Sequence, residues 1–433
     1  MENRLRAGGR LAVLAALALV GSAVSAIGAS AASASTPAPG HAPPGQCRSV
    51  TGHDYNLVCV TADPAKKTAA RTSRQIRQAG LASQQRVDQQ RTGAAGAAVS
   101  PDADSGPPST ATPPQCDFDA ASYNSNPDRV DSCVDNGWTI TAFMIDSDGV
   151  FVPQGTLTFD DFQWVTYSTS STVWTHGLVI EVQGGTGELI GGAEASVQSM
   201  CTAEGGYWCT VVSSVLPDGS TAELIPGTVW TNAWVEEDSN PQNYQTPDYV
   251  QTFDGYLGVF MEGESVGFWA NEDGNGLDGT SVLIGRCDSE ASSVPGCVNE
   301  DYAPLLTYDS TANPLVAPVA QHIYNAQHGG LQTAWGEPAD PLNRTVDEVY
   351  IDDNRATACG SVTVPSGDSC DEYPLASTYQ GAYFQDDYST AVVPSSANNS
   401  QGGLTGTFYT SNRVIDGDPF MVDVVLANGT YSW

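Results

Sequence analysis

Between residues 116 and 300 the chain alternates short apolar runs with polar breaks, and the runs have strand length. Trp138 to Met144, Phe162 to Tyr167, Gly177 to Val182, Trp208 to Val215, Thr228 to Val235 and Tyr256 to Met261 are rich in β-branched and aromatic residues. Clusters of Gly, Pro, Asp and Asn divide them, as at Pro153-Gln154-Gly155 and Pro217-Asp218-Gly219. This spacing predicts an all-β module with a sandwich-like arrangement. From about Asp301 the pattern changes. Leu315 to Gln327 reads as a helix with Val316, Val319, His322 and Ile323 as its stripe. Thr345 to Cys359 reads as a second, with Val346, Val349 and Tyr350 set among carboxylates. Strand-like patches follow at Thr390 to Val393 and Phe420 to Leu426. The expected architecture is multidomain: an all-β sandwich-like accessory module at 116–300, then a small α+β domain at 301–433.

The segments before residue 116 lack such patterning. Arg4, Arg6 and Arg10 precede the apolar run Leu11 to Ile27, with small residues around Ala31-Ala32-Ser33-Ala34. Residues 1–34 therefore read as a signal peptide, and the mature form is expected to be secreted, extracellular and free of the membrane. Residues 35–115 are rich in Pro, Ala, Ser and Gly at both ends and read as a disordered leader or linker, either a spacer or a removed propeptide. Lys66 to Arg91, with seven basic residues, has helical potential, but its apolar stripe is too thin to bury much.

Ten cysteines fall into close neighbours: Cys47 with Cys59, Cys116 with Cys133, Cys201 with Cys209, Cys287 with Cys297, and Cys359 with Cys370. An even number after an export signal predicts disulfides, with nearest-neighbour pairing as the expectation. Zinc is the competing reading; no C-x-x-C knuckle is present and no histidine accompanies the cysteines.

Charge sharpens the functional question. The formal net charge is −34, and eleven of the 16 Lys and Arg lie before residue 92. From Cys116 onward there are five arginines and no lysine. A nucleic-acid binder is expected to show a basic footprint, and this part of the chain has none. The basic stretch Lys66 to Arg91 leaves electrostatic DNA binding open beside the spacer and propeptide readings. The tryptophans of the β module (Trp138, Trp164, Trp174, Trp208, Trp230, Trp234, Trp269) suggest a sugar-stacking platform, but strand aromatics more often fill a core. The run from Asn271 to Asp278 resembles the start of a calcium loop, with oxygen-bearing residues at alternate positions and then Gly276. Its twelfth position is Val282 where a bidentate Glu belongs, so a turn rich in Asp and Gly explains it as well.

The chemistry concentrates in the last third. Asn354-Arg355-Ala356-Thr357-Ala358-Cys359 is followed by Cys370-Asp371-Glu372-Tyr373-Pro374-Leu375-Ala376-Ser377-Thr378. Then come Asn398-Asn399-Ser400-Gln401-Gly402-Gly403 and Asn412-Arg413-Val414-Ile415-Asp416-Gly417-Asp418-Pro419-Phe420. Tyr373-Pro374 reads as a stiff turn or strand edge. Taken alone, Asp371-Glu372 is a solvated acidic loop; taken with its neighbours, the set resembles the secreted NucA/NucB-type deoxyribonuclease family. Gln321-His322-Ile323 resembles that family's His-Ile helix more weakly, and the β module and leader lie outside the resemblance.

The resemblance implies an exported, sequence non-specific endonuclease that hydrolyses DNA phosphodiesters with a divalent cation. The residues suit that chemistry independently. Asp371 and Glu372 offer hard oxygen ligands for Mg²⁺ or Mn²⁺, or one ligand and one base. On a strand, neighbours face opposite ways, so one is expected to meet a metal directly, Asp371 first. His322 is a candidate general base or a surface or capping histidine. Arg355 and Arg413 are candidate phosphate clamps or salt-bridge partners. Asn399 and Gln401 lead into Gly402-Gly403, read as a loop whose backbone N–H groups approach a phosphate, or as a plain glycine turn. The partner expected is DNA, the chain is expected to act as a monomer, and the β module's ligand is undefined. The alternative is an extracellular β-sandwich adhesion or binding protein with an inactive nuclease-like tail, which the acidity favours.

Overall fold

A computed structural model describes residues 46–49, 54–63, 71–92, 116, 128–187, 189–190, 193–203, 207–217, 220–238, 248–261, 264–265 and 283–433. The signal peptide, the calcium-like loop at 271–278 and Trp269 lie outside these residues, as do the side chains of Cys201, Cys209 and Trp208.

The protein is mostly β. Strands β1 (Gln46–Ser49) and β2 (Leu57–Asp63) precede helix α1 (Ser73–Thr92). Long strands follow: β3 (Asp131–Ile145), β4 (Phe151–Ser168), β5 (Ser171–Gly187), β6 (Ala193–Ala203), β7 (Tyr207–Ser214), β8 (Thr221–Glu223), β9 (Val229–Asp238), β10 (Asp248–Met261), β11 (Glu264–Ser265), β12 (Leu283–Asp288) and β13 (Gly296–Val298). They form one ladder in the order β1-β2-β3-β4-β5-β9-β7-β6-β10-β12-β13, where a sandwich would have two separate sheets. The path folds back on itself, so that Cys287 and Cys297 of β12 and β13 pack with Val134, Val165, Tyr167 and Trp174 from β3, β4 and β5.

A larger core gathers Val58, Val60, Trp138, Ile140, Leu157, Phe159, Leu178, Ile180 and Trp234. Trp138, Trp164, Trp174 and Trp234 are buried and Trp230 packs partly buried against the core, so these five serve packing rather than a stacking platform. The strands outrun the apolar runs that mark them. Pro153-Gln154-Gly155, expected to break the chain, lies inside β4 and is absorbed by a bulge opposite Ala142 and Phe143.

Within the stretch expected to be a disordered leader, β1, β2 and α1 are formed. β2 pairs with β3 from Leu57↔Phe143 to Asp63↔Gly137. Helix α1 buries Gly80, Ser83 and Val87, small residues that a search for a bulky apolar stripe passes over. A Cβ at Gly80 would stand 2.7 Å from the Leu305 side chain, so the helix rides close on the next region. Arg77 pairs with Asp423 at 2.8 Å.

The C-terminal region begins with β14 (Leu305–Asp309) and, after a short 3₁₀ turn at Pro314–Val316, helix α2 (Ala317–Asn325). β15 (Leu342–Asn343), α3 (Glu348–Cys359), β16 (Asp368–Tyr373), β17 (Ser389–Pro394), α4 (Ser395–Ser411) and β18 (Pro419–Val425) complete it. β14, β18 and β15 form one small sheet and β16 with β17 another. Tyr308, Ile323, Tyr373, Phe408, Phe420 and Val422 are among the residues of its core. Four of the five expected disulfides are formed: Cys47–Cys59, Cys116–Cys133, Cys287–Cys297 and Cys359–Cys370. Among the described residues no helix is long and apolar enough to cross a membrane.

The β sheet and this region meet through buried arginines. Arg129 donates to the carbonyls of Asn412 and Arg413 and to Asp418 Oδ2 at 2.9 Å. Arg286 reaches Asp418 Oδ1 at 2.6 Å. Arg413, also fully buried, donates to Asp288 Oδ1 at 2.7 Å and to the carbonyls of Thr169 and Val294. Charges this deeply buried persist only when paired on every side, and these are.

Candidate active site

The site is assembled by a β-β-α unit, β16-β17-α4, with α3 tied on by a disulfide. Helix α3 starts where the Asp347 side chain accepts the Val349 N–H at 2.9 Å, three residues later than the apolar pattern suggests, because Thr345 and Val346 precede the cap. The Cys359–Cys370 bond, with Cα atoms 5.9 Å apart, holds the end of α3 against β16. β16 pairs antiparallel with β17, setting Asp371 opposite Ala391 and Glu372 opposite Thr390. Its last residue, Tyr373, is buried and leads through a cis peptide into Pro374.

Asp371 and Glu372 open onto a cleft of about 540 Å³. Arg355, the Cys359–Cys370 bond and Leu375 to Ser377 line it beside them. The opposite wall is α4, which contributes Asn398, Asn399, Gln401, Gly402, Thr405, Gly406 and Tyr409. The stretch expected as a glycine turn is thus helical, and the correction has a clear basis. Packing against α2, β14 and β16 outweighs the poor helix propensity of three glycines, and Asn398 fastens the helix by donating to Ser369 Oγ and to the Cys370 carbonyl. A Cβ built at Gly402 or Gly406 meets nothing within 4 Å. These glycines are not required by protein packing; they leave the helix wall bare where it faces the cleft.

Asp371 is buried, and its Oδ2 lies 2.6 Å from Nδ1 of His322 on α2. A carboxylate partner makes Nδ1 the donor, which leaves Nε2, 2.9 Å from Ser389 Oγ, to accept the hydroxyl proton when the ring is neutral. His322 is itself buried and stands behind Asp371, not on the cleft surface. It therefore orients Asp371 with both nitrogens engaged. Glu372 is mostly buried, and burial together with the Asp371 charge pushes its carboxyl up to about 7, against smaller opposing pulls from Arg355 and His322.

The two carboxylates and the amide oxygens of Asn398, Asn399 and Gln401 make a hard-oxygen donor set that suits Mg²⁺ or Mn²⁺. The mutual opposition of Asp371 and Glu372 is the feature a dication would relieve. Among the described residues no three His, Cys, Asp or Glu side chains cluster as a metal site, so amides or water would have to complete any coordination sphere. Gln401 adds a buried amide on the cleft wall beside the Tyr308 hydroxyl, which also hydrogen-bonds Thr405.

Residues 341–423 match the family model of deoxyribonuclease NucA/NucB. No curated protein matches the chain. The NucA/NucB match takes in α3, β16, β17, α4 and most of β18, and so contains Asp371, Glu372, Arg355, Asn399, Gln401 and Arg413. His322, α1 and the β sheet fall outside it.

Five of the seven residues singled out from sequence line the NucA/NucB-like cleft, and His322 touches it through Asp371. Arg413 does not reach it. Its guanidinium is spent on Asp288 and on carbonyls of the β sheet, with no donor directed at a phosphate. Arg355 is the cation left at the cleft: its side chain is 57% exposed, with Asp352 at 3.4 Å. Sequence reasoning missed Ser389, Asn398, Thr405 and Tyr409. The spacing of Asn398, Gln401, Gly402, Thr405 and Tyr409 is that of one helical face, a signal visible only once the segment is read as a helix.

Proposed function

We propose that the cleft between β16 and α4 hydrolyses DNA phosphodiester bonds, making the chain a secreted endonuclease with little sequence preference. The observation that carries this reading is the convergence of Asp371, Glu372 and Arg355 with a bare, amide-lined helix wall, inside the span that matches a deoxyribonuclease family.

Phosphodiester hydrolysis needs a water activated for attack, relief of charge on the phosphate, and a path for the strand. Glu372, its carboxyl pushed up to about 7, is the proton acceptor for that water as it bonds to phosphorus. The sugar oxygen released as the opposite P–O bond breaks takes its proton from solvent in the open cleft. Asp371, in the cleft lining, is held by His322 through Oδ2, so Oδ1 is the oxygen left to act. Arg355 supplies the guanidinium for a phosphate oxygen. Asn399 and Gln401 donate from the opposite wall, and the bare faces of Gly402 and Gly406 let the sugar-phosphate backbone lie close. A divalent cation, Mg²⁺ or Mn²⁺, bound at Asp371 with Glu372 adjacent, would supply the charge that this acidic surface does not offer a polyanion.

The competing reading, an extracellular binding protein with an inactive tail, draws support from the burial of Arg413, which leaves the cleft poorer in cations than the sequence suggests. Supercoiled plasmid nicking with Mg²⁺ or Mn²⁺, with and without chelator, separates the two. Nicking abolished by chelator is expected; intact plasmid under all conditions would overturn the hydrolytic reading.

A further inference from the structure

On the flank of α3 turned away from the cleft lies a second surface that hydrolysis does not use. Tyr350 and Arg355 are five residues apart, which sets them about 140° apart around the helix axis. Tyr350 joins Tyr379, Tyr383 and Phe384 in a continuous aromatic cluster. Tyr350 and Phe384 centroids are 4.9 Å apart, Tyr383 and Phe384 5.4 Å, and Tyr379 and Phe384 5.8 Å. Tyr383 is 52% exposed, Phe384 39%, and the neighbouring Val349 64%.

This patch is built into the fold. Asn354, fully buried, donates to the carbonyls of Ala376 and Thr378 and accepts the Tyr383 N–H at 2.9 Å, which fixes the loop that carries the rings. Gly381 lets that loop lie on α3, since a Cβ there would stand 2.3 Å from the Asn354 side chain. The Tyr379 hydroxyl donates to Asp416. Rings held this firmly lose little freedom on binding, the property that makes tyrosines effective anchors at interfaces.

The charge around the rings selects the partner. Asp386 and Asp416 are exposed near them, and Asp347 and Asp353 lie three residues either side of Tyr350 and so on its side of the helix. The nearby Arg344 is turned inward onto the Val414 carbonyl and the Tyr409 ring. Phosphates approaching this rim would be repelled, whereas a cationic surface would be drawn to it. We propose that the Tyr350–Phe384 face is a docking site for a basic protein surface that presents apolar side chains, with the aromatic rings as the anchor and the carboxylates as the attracting rim. The site is distinct from the cleft and does not depend on its activity.

The test uses the full chain and a fluorescein-labelled amphipathic peptide of lysine and leucine, with oligolysine of equal charge and single-stranded oligo-dT as comparators, read by anisotropy at physiological salt. Tyr383→Ser with Phe384→Ser should weaken the lysine-leucine peptide about tenfold or more, as loss of central aromatic anchors does. Val349→Lys, a change at an exposed position, should also weaken it. Oligolysine should bind weakly and be indifferent to the double serine substitution, while the charge added by Val349→Lys should weaken it further. Equal peptide binding by wild type and both variants, or oligolysine binding as tightly as the peptide, would overturn the proposal. So would oligo-dT binding that the double substitution abolishes, because that would assign the rings to nucleobases.

Discussion

Glu372→Gln offers a test in which stability and activity should move in opposite directions. The carboxyl titrates at about 7 in the fold against an ordinary value of 4.5. A gap of that size corresponds to about 3 kcal/mol of unfavourable ionisation. The folded protein holds this proton more tightly than the unfolded chain. The favourable protonated state is thus fully present below about pH 4.5 and is lost as pH rises through about 7. Above that, the fold carries an ionised, mostly buried Glu372 beside Asp371.

Glutamine keeps the shape and removes the charge. At pH 8 without divalent cations the variant should be more stable than wild type by up to about 3 kcal/mol, a rise in Tm of roughly 5 °C. At pH 4, below the ordinary carboxyl range, the two should melt together, and plasmid cleavage should be lost throughout. Adding Mg²⁺ should narrow the pH 8 gap by stabilising the wild-type carboxylates. Thermal melts at both pH values, with chelator and with Mg²⁺, read all of this. A variant less stable than wild type at pH 8, or a difference independent of pH, would refute the assignment of Glu372 as a carboxyl held out of its ordinary range by burial and Asp371.

Three further outcomes are expected. Gly402→Leu should leave melting unchanged or slightly higher, because the position is open and glycine is a poor helix former, yet raise KM for DNA at least tenfold by filling the cleft wall; unchanged kinetics would show that substrate does not pass this face. Arg413→Met should destabilise by about 3–5 kcal/mol in chemical denaturation, since buried Asp288 keeps only Arg286 of its two arginine partners and the carbonyls of Thr169 and Val294 lose their donor, and Asp288→Asn added to it should recover part of the loss. Recovery of nothing would mean that Arg413 acts through packing and its carbonyl bonds, with no part played by the Asp288 charge. Replacing Cys359 and Cys370 by serine should cost about 3 kcal/mol and lower cleavage, because the bond ties the end of α3, near Arg355, to the strand of Asp371 and Glu372; full activity at unchanged stability would remove the bond from the site.

What could be read from the sequence divides along physical lines. The carboxylate pair, Arg355 and the nearest-neighbour disulfides were legible because adjacency along the chain also makes adjacency in space. Helix α3 and strands β17 and β18 were legible from periodicity alone. Helix α4 was not, because Gly402-Gly403 is turn chemistry by every local rule and only tertiary packing makes it helical. The helical potential of α1 was legible but its packing was not: its contact face is Gly80, Ser83 and Val87, small residues suited to close approach. The full lengths of β3, β4 and β5 were obscured by polar residues such as Asp135, Asp161 and Gln163, which sit buried inside strands. Arg413 shows the limit most directly. A scarce cation in a nuclease-like motif is natural to assign to phosphate, and only long-range pairing with Asp288, 125 residues away, reveals its structural use.

The central claim is that Asp371, buried in the lining of the β16–α4 cleft and held there by His322, is required for DNA hydrolysis. The direct measurement is single-turnover cleavage of supercoiled plasmid by wild type and by Asp371→Ala at matched Mg²⁺, with melting curves showing that both are folded. The account predicts that wild type cleaves and that the substitution lowers the rate by about a hundredfold or more, on the scale of losing a principal catalytic group. Undiminished cleavage by folded Asp371→Ala would contradict it.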